Sequence, residues 1–266
     1  MWKLYDDLYI GIPSGIRIDG CSVEGKCAVV RANGNTGLCR MLEPPEMDAM
    51  PAPGDYLRDT ACHLRWSSLT RAAFGVAALN AWYNTEARVS ALSADGLCSY
   101  AFLPPDAQVA TVGYCPAFAA SGRRECAAFT LPIGPDFDPA PYQALRDYAV
   151  VILSGSTLTA RALPALLEIA GEDGTVVLDG SSVPCAPVLF SFDRPIRRLN
   201  GACRDADGTA LPFSVVPQPV QRIHEQENVQ NFLSSPYRAS KFNQDAFAPW
   251  QGQRYDHADW EKLFKG

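Results

Sequence analysis

The chain has 266 residues, of which 47% are hydrophobic and 20% are charged, and its formal net charge is −6. This length suits one large domain or two domains of ordinary size, and the apolar fraction is enough for a substantial core. The acidic balance argues against a nucleic-acid-binding protein, which would present a basic face. The sequence contains no run of about 18 apolar residues, so we predict no membrane-spanning helix.

The N-terminus has no basic region followed by an apolar run, so we predict no signal peptide. Nine cysteines are scattered along the chain without a CxxC pair. An odd number of cysteines in a chain without a secretion signal is typical of reduced thiols. We therefore expect a cytoplasmic protein.

The first hundred residues mix strand and helix patterns. Residues 16–32 alternate in polarity and are punctuated by glycines, which predicts a β-hairpin or meander. Residues 33–39 predict a turn, and the Pro- and Met-rich segment 40–55 predicts a loop. Ser67 and Ser68 are possible N-caps, and apolar residues then follow at helical spacing, which predicts the best-defined helix of the chain over 68–84.

A different pattern begins after the Pro-containing stretch 103–108. Short β-branched runs alternate with helical segments, which indicates a parallel sheet covered on both faces. The predicted strands lie within residues 109–113, 125–133, 148–154 and 174–179. We place a domain boundary near residue 106, which separates an α+β domain at 1–106 from a parallel-sheet domain at 107–215.

Two segments leave alternatives open. Residues 160–171 predict a helix, but Pro164 lacks a backbone N–H, so the helix either starts after Leu163 or begins near Thr157 with a kink. Residues 216–266 are polar with isolated aromatic side chains. We predict an extended arm that wraps its own domain or a neighbouring subunit in a homo-oligomer; the alternative is a tail without a defined structure.

Small and polar residues follow the predicted strands, at the edge of a parallel sheet where ligands bind. The predicted ligand-binding residues of this edge are Gly113, Tyr114, Ser154, Gly155, Ser156, Thr157, Gly180 and Ser181. Free backbone N–H groups and hydroxyls at a helix start suit a phosphate or carboxylate, although Ser and Thr before a helix also act as N-caps. The sequence has no GxGxxG fingerprint, GxSxG elbow or zinc-ligand spacing, so it specifies neither a cofactor nor a metal.

Two acidic residues are the predicted proton-transfer groups, and we name Glu125 first and Asp179 second as catalytic candidates. Glu125 begins the second predicted strand, near the position where a carboxylate in Rossmann-like folds binds a ligand hydroxyl. The alternative for Glu125 is a weak surface ion pair with a neighbouring arginine. An enzyme requires such a titratable group at the site and a binding protein does not, so both classes stay open.

Five segments together resemble the heavy-metal chelatase family, bacterial and archaeal proteins of unknown function. They are MWKLYDDLYIGIP, AALNAWYN, VGYCP, SGSTLTARALPALLEIA and DGSSVPCAPVLF, and the similarity covers roughly residues 1–208. The resemblance implies an enolase N-terminal-like α+β domain, a Rossmann-like domain that looks like that of methyltransferases, and a site in the cleft between them. The family often has a histidine where Tyr114 stands, and tyrosine is a poor ligand for most divalent metals.

The predicted helix at 68–84 bears on this cleft, because it ends in two amides and a phenol, Asn80, Tyr83 and Asn84. An amide both donates and accepts hydrogen bonds, and a phenol adds a stacking face. This set suits a flat heterocycle with mixed hydrogen-bonding edges. The alternative is that the amides cap the helix and bridge the two domains.

We therefore predict a small-molecule ligand, heterocyclic or metal-chelating and resembling a pterin, flavin or siderophore, bound in the interdomain cleft. The implied role is heavy-metal chelation or homeostasis, with no nucleic acid or membrane as partner. Three classes compete: an enzyme of condensation, hydrolysis or group transfer, a non-catalytic protein that sequesters a chelated metal, and a methyltransferase-like enzyme. The last is weakened because its glycine-rich first loop is reduced to VGYCP.

Overall fold

The computed structural model describes most of the chain before residue 218. The described residues are 2–92, 100–123, 126–171, 174–191, 196–204 and 208–217. Contacts between residues divide the chain into two units, Met1–Gln218 and Pro219–Gly266. The boundary predicted near residue 106 falls inside the first unit and stays a prediction. The predicted arm, from 218 onward, lies outside the described residues.

The N-terminal part contains a helix and a three-stranded antiparallel sheet. Its elements are α1 (Lys3–Ile10), β1 (Gly20–Glu24), β2 (Cys27–Ala32) and β3 (Asn35–Arg40), and the strand order is β1-β2-β3. Asn33 and Gly34 join β2 to β3 with φ angles of 52° and 74°, the left-handed pair of a two-residue hairpin. The meander predicted over 16–32 is thus present, but it extends to residue 40 because the NGNTGLC segment turns in two residues and then forms β3.

Three helices follow this sheet: α2 (Leu57–Cys62), α3 (Leu69–Tyr83) and α4 (Glu86–Leu92), with short 3-10 helices at Met47–Ala49 and His63–Arg65. The helix predicted over 68–84 is confirmed as α3. The Ser68 hydroxyl accepts a hydrogen bond from the Arg71 N–H at 3.2 Å, which satisfies one of the free donors at the helix start. Most of α3 is buried, because β2 and β3 cover one side of it and α2 and the loops of the second sheet cover others.

A six-stranded sheet forms the rest of the unit. Its strands are β4 (Val109–Val112), β5 (Ala127–Phe129), β6 (Val150–Ser154), β7 (Thr175–Asp179), β8 (Ile196–Arg204) and β9 (Ala210–Val215). The strand order is β5-β4-β6-β7-β8-β9, and all pairs are parallel except β8 with β9. Strands β4 and β6 are buried along their whole length, as expected for a sheet covered on both faces. The predicted α/β class is confirmed, whereas the enolase-like and Rossmann-like assignments stay predictions.

The connections of this sheet carry short helices. They are α5 (Pro116–Ala120), α6 (Ser156–Thr159) and α7 (Leu163–Ala170), with 3-10 helices at Ala140–Asp147 and Pro187–Phe190. The alternatives left open around Pro164 are resolved by two separate helices. Arg161, with φ 60°, breaks the chain between α6 and α7, and Pro164 lies in the first turn of α7, where its missing N–H has no helical partner to lose.

The path of the chain changes direction at one edge of the sheet. From β4 the chain passes to β5 on one side and then returns to β6 on the other side of β4. Connections that leave in opposite directions create a ligand-binding crevice outside the carboxyl ends of the two strands. Gly113 stands at this point with φ 74°, and a Cβ added to it would lie 3.1 Å from the Ser154 Cβ. We therefore expect a ligand-binding crevice outside the carboxyl ends of β4 and β6, and this place is here called the crevice between β4 and β6. In the described ranges, no helix has the length and apolar character needed to cross a membrane.

Candidate functional site

Asp179, at the end of β7, lies in the interior. It is 0% exposed and accepts hydrogen bonds from the Tyr100 hydroxyl at 2.7 Å, the Phe118 N–H at 2.9 Å and the Ala117 N–H at 3.2 Å. Burial raises the pKa of this carboxyl group, and the three hydrogen bonds act in the opposite direction. The side chain thus caps the start of α5, because it accepts from the first free N–H groups of that helix. Asp179 thus holds α5 against the sheet, and its predicted catalytic role stays a prediction.

The 154–157 turn, predicted to bind an anion, is filled by the protein itself. A Cβ added to Gly155 would lie 2.8 Å from the Val183 Cγ2, and the Gly155 N–H donates to the Asp179 carbonyl at 2.8 Å. The Thr157 hydroxyl donates to the Ser154 carbonyl, and the Ser156 N–H donates to the Ser154 hydroxyl. These contacts count against the predicted anion site, because the groups expected to face a ligand face one another.

The polar end of α3 also binds protein groups. The Asn84 side chain donates to the Val183 and Ala202 carbonyls at 2.9 and 3.2 Å and accepts from the Cys185 N–H at 2.7 Å. Sequence analysis left open that the amides at the end of α3 bridge two parts of the protein. These three hydrogen bonds of Asn84 agree with that alternative. Asn84 contacts the loop after β7, and no described hydrogen bond links it to Gly113 or to the 154–157 turn.

Asn80 and Tyr83 are buried in the same region. The Asn80 amide donates to the Leu38 and Ser181 carbonyls at 2.6 and 3.2 Å, and the Tyr83 hydroxyl donates to the Leu8 carbonyl at 2.9 Å. The Asn80 amide nitrogen and the Tyr83 hydroxyl thus both donate to backbone carbonyls. The Asn80 Oδ1 atom has no partner among the described residues.

The remaining predicted residues differ in how the structure places them. Gly180 has φ 119°, which favours glycine, and its N–H donates to the Asn200 carbonyl at 3.0 Å. Gly180 and Ser181 are half-buried at the same edge of the sheet. Glu125 lies outside the described residues, so its role stays a prediction.

Among the described residues of the predicted set, Tyr114 is the exposed one. It follows Gly113 directly and is 59% exposed. The Arg40 guanidinium lies 5.3 Å from the centre of its ring, within the range of a cation–π contact. The Arg40 backbone N–H donates to the Ser182 hydroxyl at 3.0 Å, which ties the end of β3 to the loop after β7. An exposed aromatic ring and a guanidinium therefore meet beside the crevice.

Arg40 was missed by sequence analysis, which placed it in an aperiodic loop. It stands 74 positions before Tyr114, and only the docking of β3 on the parallel sheet brings the two together. A contact between the Cys39 sulphur and the Thr159 hydroxyl at 3.2 Å supports the same docking. The continued β-pattern after the Asn33–Gly34 turn was the signal that could have identified β3.

The arrangement favours recognition of a planar anion over nucleophilic chemistry. Cys115 lies next to the crevice, but burial raises the pKa of its thiol, so the thiol stays protonated and unreactive near neutral pH. The Ser154 hydroxyl is almost fully buried. Within the described ranges no group of three or more His, Cys, Asp or Glu side chains is placed to hold a metal ion.

Comparison with protein families identifies the region that carries this sheet. Residues 101–213 match DUF364, the family described as "Putative heavy-metal chelation". This region is similar to DUF364. The match includes Tyr114, Ser154 and Asp179 and excludes Arg40 and α3. The resemblance inferred from the sequence is thereby confirmed over these residues.

Two solved DUF364 structures share the fold. A DUF364 protein of unknown function from Desulfitobacterium hafniense is 21% identical, covers 81% of this chain and 97% of its own, and superposes with a TM-score of 0.65. A DUF364 protein of unknown function from Pyrococcus horikoshii is 13% identical, covers 80% of this chain and 98% of its own, and has a TM-score of 0.62. No curated protein matches the chain. At these sequence identities, the two structures show that the fold is shared.

Proposed function

We propose that this protein binds a small, planar, anionic chelating molecule at the crevice between β4 and β6, as part of heavy-metal chelation or homeostasis. The observation that carries the proposal is the exposed Tyr114 ring with the Arg40 guanidinium 5.3 Å from its centre. The DUF364 description supports the link to metal chelation.

The backbone on both sides of the pair is fixed by contacts within the protein. Gly113 turns the chain after β4 in a left-handed conformation, which sets the direction of Tyr114. The hydrogen bond from the Arg40 N–H to Ser182 anchors the base of the arginine. Because the backbone of both residues is already fixed, binding has to order only their side chains.

The chemistry of the pair defines the ligand class. A phenol ring offers a stacking face for a flat heterocycle or a catechol. A guanidinium offers paired N–H donors that match a carboxylate or a catecholate. The ligand's own oxygen atoms would carry the metal, while Tyr114 and Arg40 recognise the organic part.

Binding, rather than turnover, is the activity that these residues support. Asp179, the described acidic residue predicted for proton transfer, is buried and bonded to three donors. Tyr114 and Arg40 provide affinity and orientation without a free acid or base. Sequestration of a chelated metal is therefore the form of the function that we propose.

The test is a binding titration with 2,3-dihydroxybenzoate, pterin-6-carboxylate and flavin mononucleotide, each measured by calorimetry. Tyr114→Ala and Arg40→Ala should each weaken binding of the preferred compound about tenfold or more, because the ring and the guanidinium supply separate contacts. Arg40→Lys should weaken it as well, since lysine lacks the planar fork. Repeating the titration with the ferric complex of dihydroxybenzoate shows whether the metal-loaded chelator is preferred.

Arg71→Ala is the matched control, because Arg71 lies 4.3 Å over the exposed Trp66 ring, away from the crevice. It should leave the affinity unchanged. Equal losses in Arg71→Ala and Arg40→Ala, or binding that Tyr114→Ala does not alter, would remove the pair from the site.

A further inference from the structure

A cavity lies beside α2, in the N-terminal part of the chain. Its volume is about 330 Å³, and the side chains that line it are Arg17, Asp55, Tyr56, Asp59, Thr60 and His63. Small-molecule sites have volumes of roughly 300–1,000 Å³, so the cavity suits a small metabolite. It shares no residue with the Tyr114–Arg40 pair. We call it the α2 cavity.

One face of α2 supplies most of the lining. Tyr56 precedes the helix, and His63 follows it in the 3-10 helix. Asp59 and Thr60 lie within the helix. Residues three and four positions apart on a helix share a face, which brings these side chains together. Burial lowers the pKa of His63, so its imidazole is neutral near neutral pH and adds no charge to this face.

Arg17 reaches the α2 cavity from a different segment. The Ile18 N–H donates to the Asp55 carbonyl at 2.9 Å, and the Gly54 N–H donates to the Ile18 carbonyl at 2.8 Å, so the two segments are joined beside Arg17. Its guanidinium donates to the Gly54 carbonyl at 2.6 Å and to the Tyr56 hydroxyl at 2.8 Å. A guanidinium has five N–H donors, so further donors remain for a ligand.

The charges around the α2 cavity do not pair with one another. In the part of the chain that the structure describes, neither Asp55 nor Asp59 forms an ion pair with Arg17. One oxygen of Asp55 accepts from the Ala52 N–H at 2.8 Å, whereas the Asp59 carboxylate has no hydrogen-bond partner among the described residues. A guanidinium and a free carboxylate thus line the same cavity without direct contact.

This mixture of charges determines the kind of ligand. Two carboxylates repel a purely anionic molecule, and a guanidinium repels a bare cation. A metal ion is also disfavoured, because the described ranges contain no group of three or more His, Cys, Asp or Glu side chains placed to hold one. A molecule that carries both an ammonium group and a carboxylate complements both kinds of charge.

We propose that the α2 cavity binds a small zwitterion of the α-amino-acid type. The ligand carboxylate accepts from the free donors of Arg17, whose planar fork matches a carboxylate with two parallel hydrogen bonds. The ligand ammonium group donates to Asp59. The hydroxyls of Tyr56 and Thr60 line the same space and favour a ligand with a polar side chain.

The charge requirement can be tested on the full chain by calorimetry with L-serine, L-threonine, L-asparagine and L-glutamine. For the tightest of the four, conversion of the carboxylate into an amide should weaken binding about tenfold or more, and acetylation of the amino group should do the same. Each change removes one of the two charges. Undiminished binding of either derivative, or no binding of any of the four at about 10 mM, overturns the proposal.

Variants of the two charged residues test their roles. Asp59→Asn and Arg17→Gln should each weaken binding of the same amino acid about tenfold or more. Arg17→Lys is the second variant, because Arg17 also contacts the Gly54 carbonyl. Lysine keeps the charge but lacks the fork, so the loss should be smaller than in Arg17→Gln. Thermal unfolding checks that each variant is folded.

Asp48→Asn is the matched control, since Asp48 is an exposed carboxylate that does not line the α2 cavity. It should leave the affinity unchanged, and losses as large as those of Asp59→Asn would contradict a specific site.

NMR of the labelled protein locates the bound amino acid. Its addition should shift the backbone amide signals of Gly54, Thr60 and His63. Shifts confined to the residues around Tyr114 would place the amino acid in the crevice between β4 and β6 and would overturn the second site, without bearing on chelator binding in the crevice.

Discussion

At the scale of single residues, burial determines what Asp179 does. Its ordinary pKa is 3.8, and loss of solvent raises this value more than the hydrogen bonds from Tyr100, Phe118 and Ala117 lower it. The folded protein therefore binds a proton on Asp179 more tightly than the unfolded chain does, and this has a defined consequence for stability.

We expect the contribution of Asp179 to the free energy of unfolding to decrease as the pH rises from about 4 through its raised pKa. The sign follows because in this window the native state holds more protons than the unfolded state. Asp179→Asn should remove this decrease. The measurement is urea unfolding of the wild type and the variant at a series of pH values. The difference between their free energies of unfolding is then compared across pH.

Glu24→Gln tests a carboxyl group whose pKa is shifted in the opposite direction, so its contribution to stability should change with pH in the opposite sense. A hydrogen bond from Arg31, first of several causes, lowers the pKa of the exposed Glu24, so the stability it contributes is lost as the pH falls through its folded pKa. The effect should be small, since exposed pairs contribute little. If the free energies of unfolding of Asp179→Asn and of the wild type change with pH in the same way above pH 4, burial does not raise the pKa of Asp179.

At the scale of elements, the contact between β3 and α3 positions the site. Gly37 lies where the strand meets the helix, and a Cβ added there would come within 2.0 Å of the Ala77 carbonyl oxygen and 2.1 Å of the Ala81 nitrogen. Both atoms belong to the helix backbone and cannot rotate away. The absence of a side chain at one position thus allows β3 to approach α3 and to carry Arg40 to Tyr114.

Gly37→Ala should therefore destabilise the protein by about 3 kcal/mol or more, at the upper end of overpacking effects. It should also weaken ligand binding at the crevice, because β3 must move away from α3. Gly20→Ala in β1 is the matched control, since nothing lies within 4 Å of its added Cβ, and its stability should change by less than about 0.5 kcal/mol. Urea unfolding of the two variants checks this, and similar losses in both would show that the close approach is not limiting.

At the scale of the whole molecule, Asn84 joins the end of α3 to the second sheet. Its amide binds two carbonyls and one N–H from the segments around Val183, Cys185 and Ala202. A side chain with both donors and an acceptor is needed, because the three backbone groups are of both kinds.

Asn84→Asp should cost about 2–4 kcal/mol of stability, because a carboxylate cannot donate to the two buried carbonyls and faces them unpaired. Urea unfolding followed by tryptophan fluorescence measures the loss. Asn35→Asp is the control, since its amide makes an exposed bond to the Asn33 carbonyl, and the change should stay below about 0.5 kcal/mol. A small loss in Asn84→Asp would mean that other contacts hold the two parts together.

Much of the fold could be predicted because its signals are local. The apolar spacing of α3, the β-branched runs of β4, β6 and β7, and the Asn33–Gly34 turn each follow from short stretches of sequence. The carboxyl edge could also be predicted as the place of polar residues, since parallel strands end together. Helices α1, α2 and α4 were missed, because α1 and α4 have at most eight residues and α2 has six, too few to show a clear period.

The sequence by itself determined the α/β class, the parallel strands β4, β6 and β7 and the set of polar residues that follow them, because these depend on period and composition. Only the tertiary structure decided which polar groups are satisfied internally: Asp179 and Asn84 bind protein atoms, Tyr114 stays exposed with Arg40, and Arg161 is buried. The physical reason is that hydrogen-bond partners and burial come from segments far apart in the chain. A local pattern shows that a side chain is polar, and the packing of distant elements decides what it contacts.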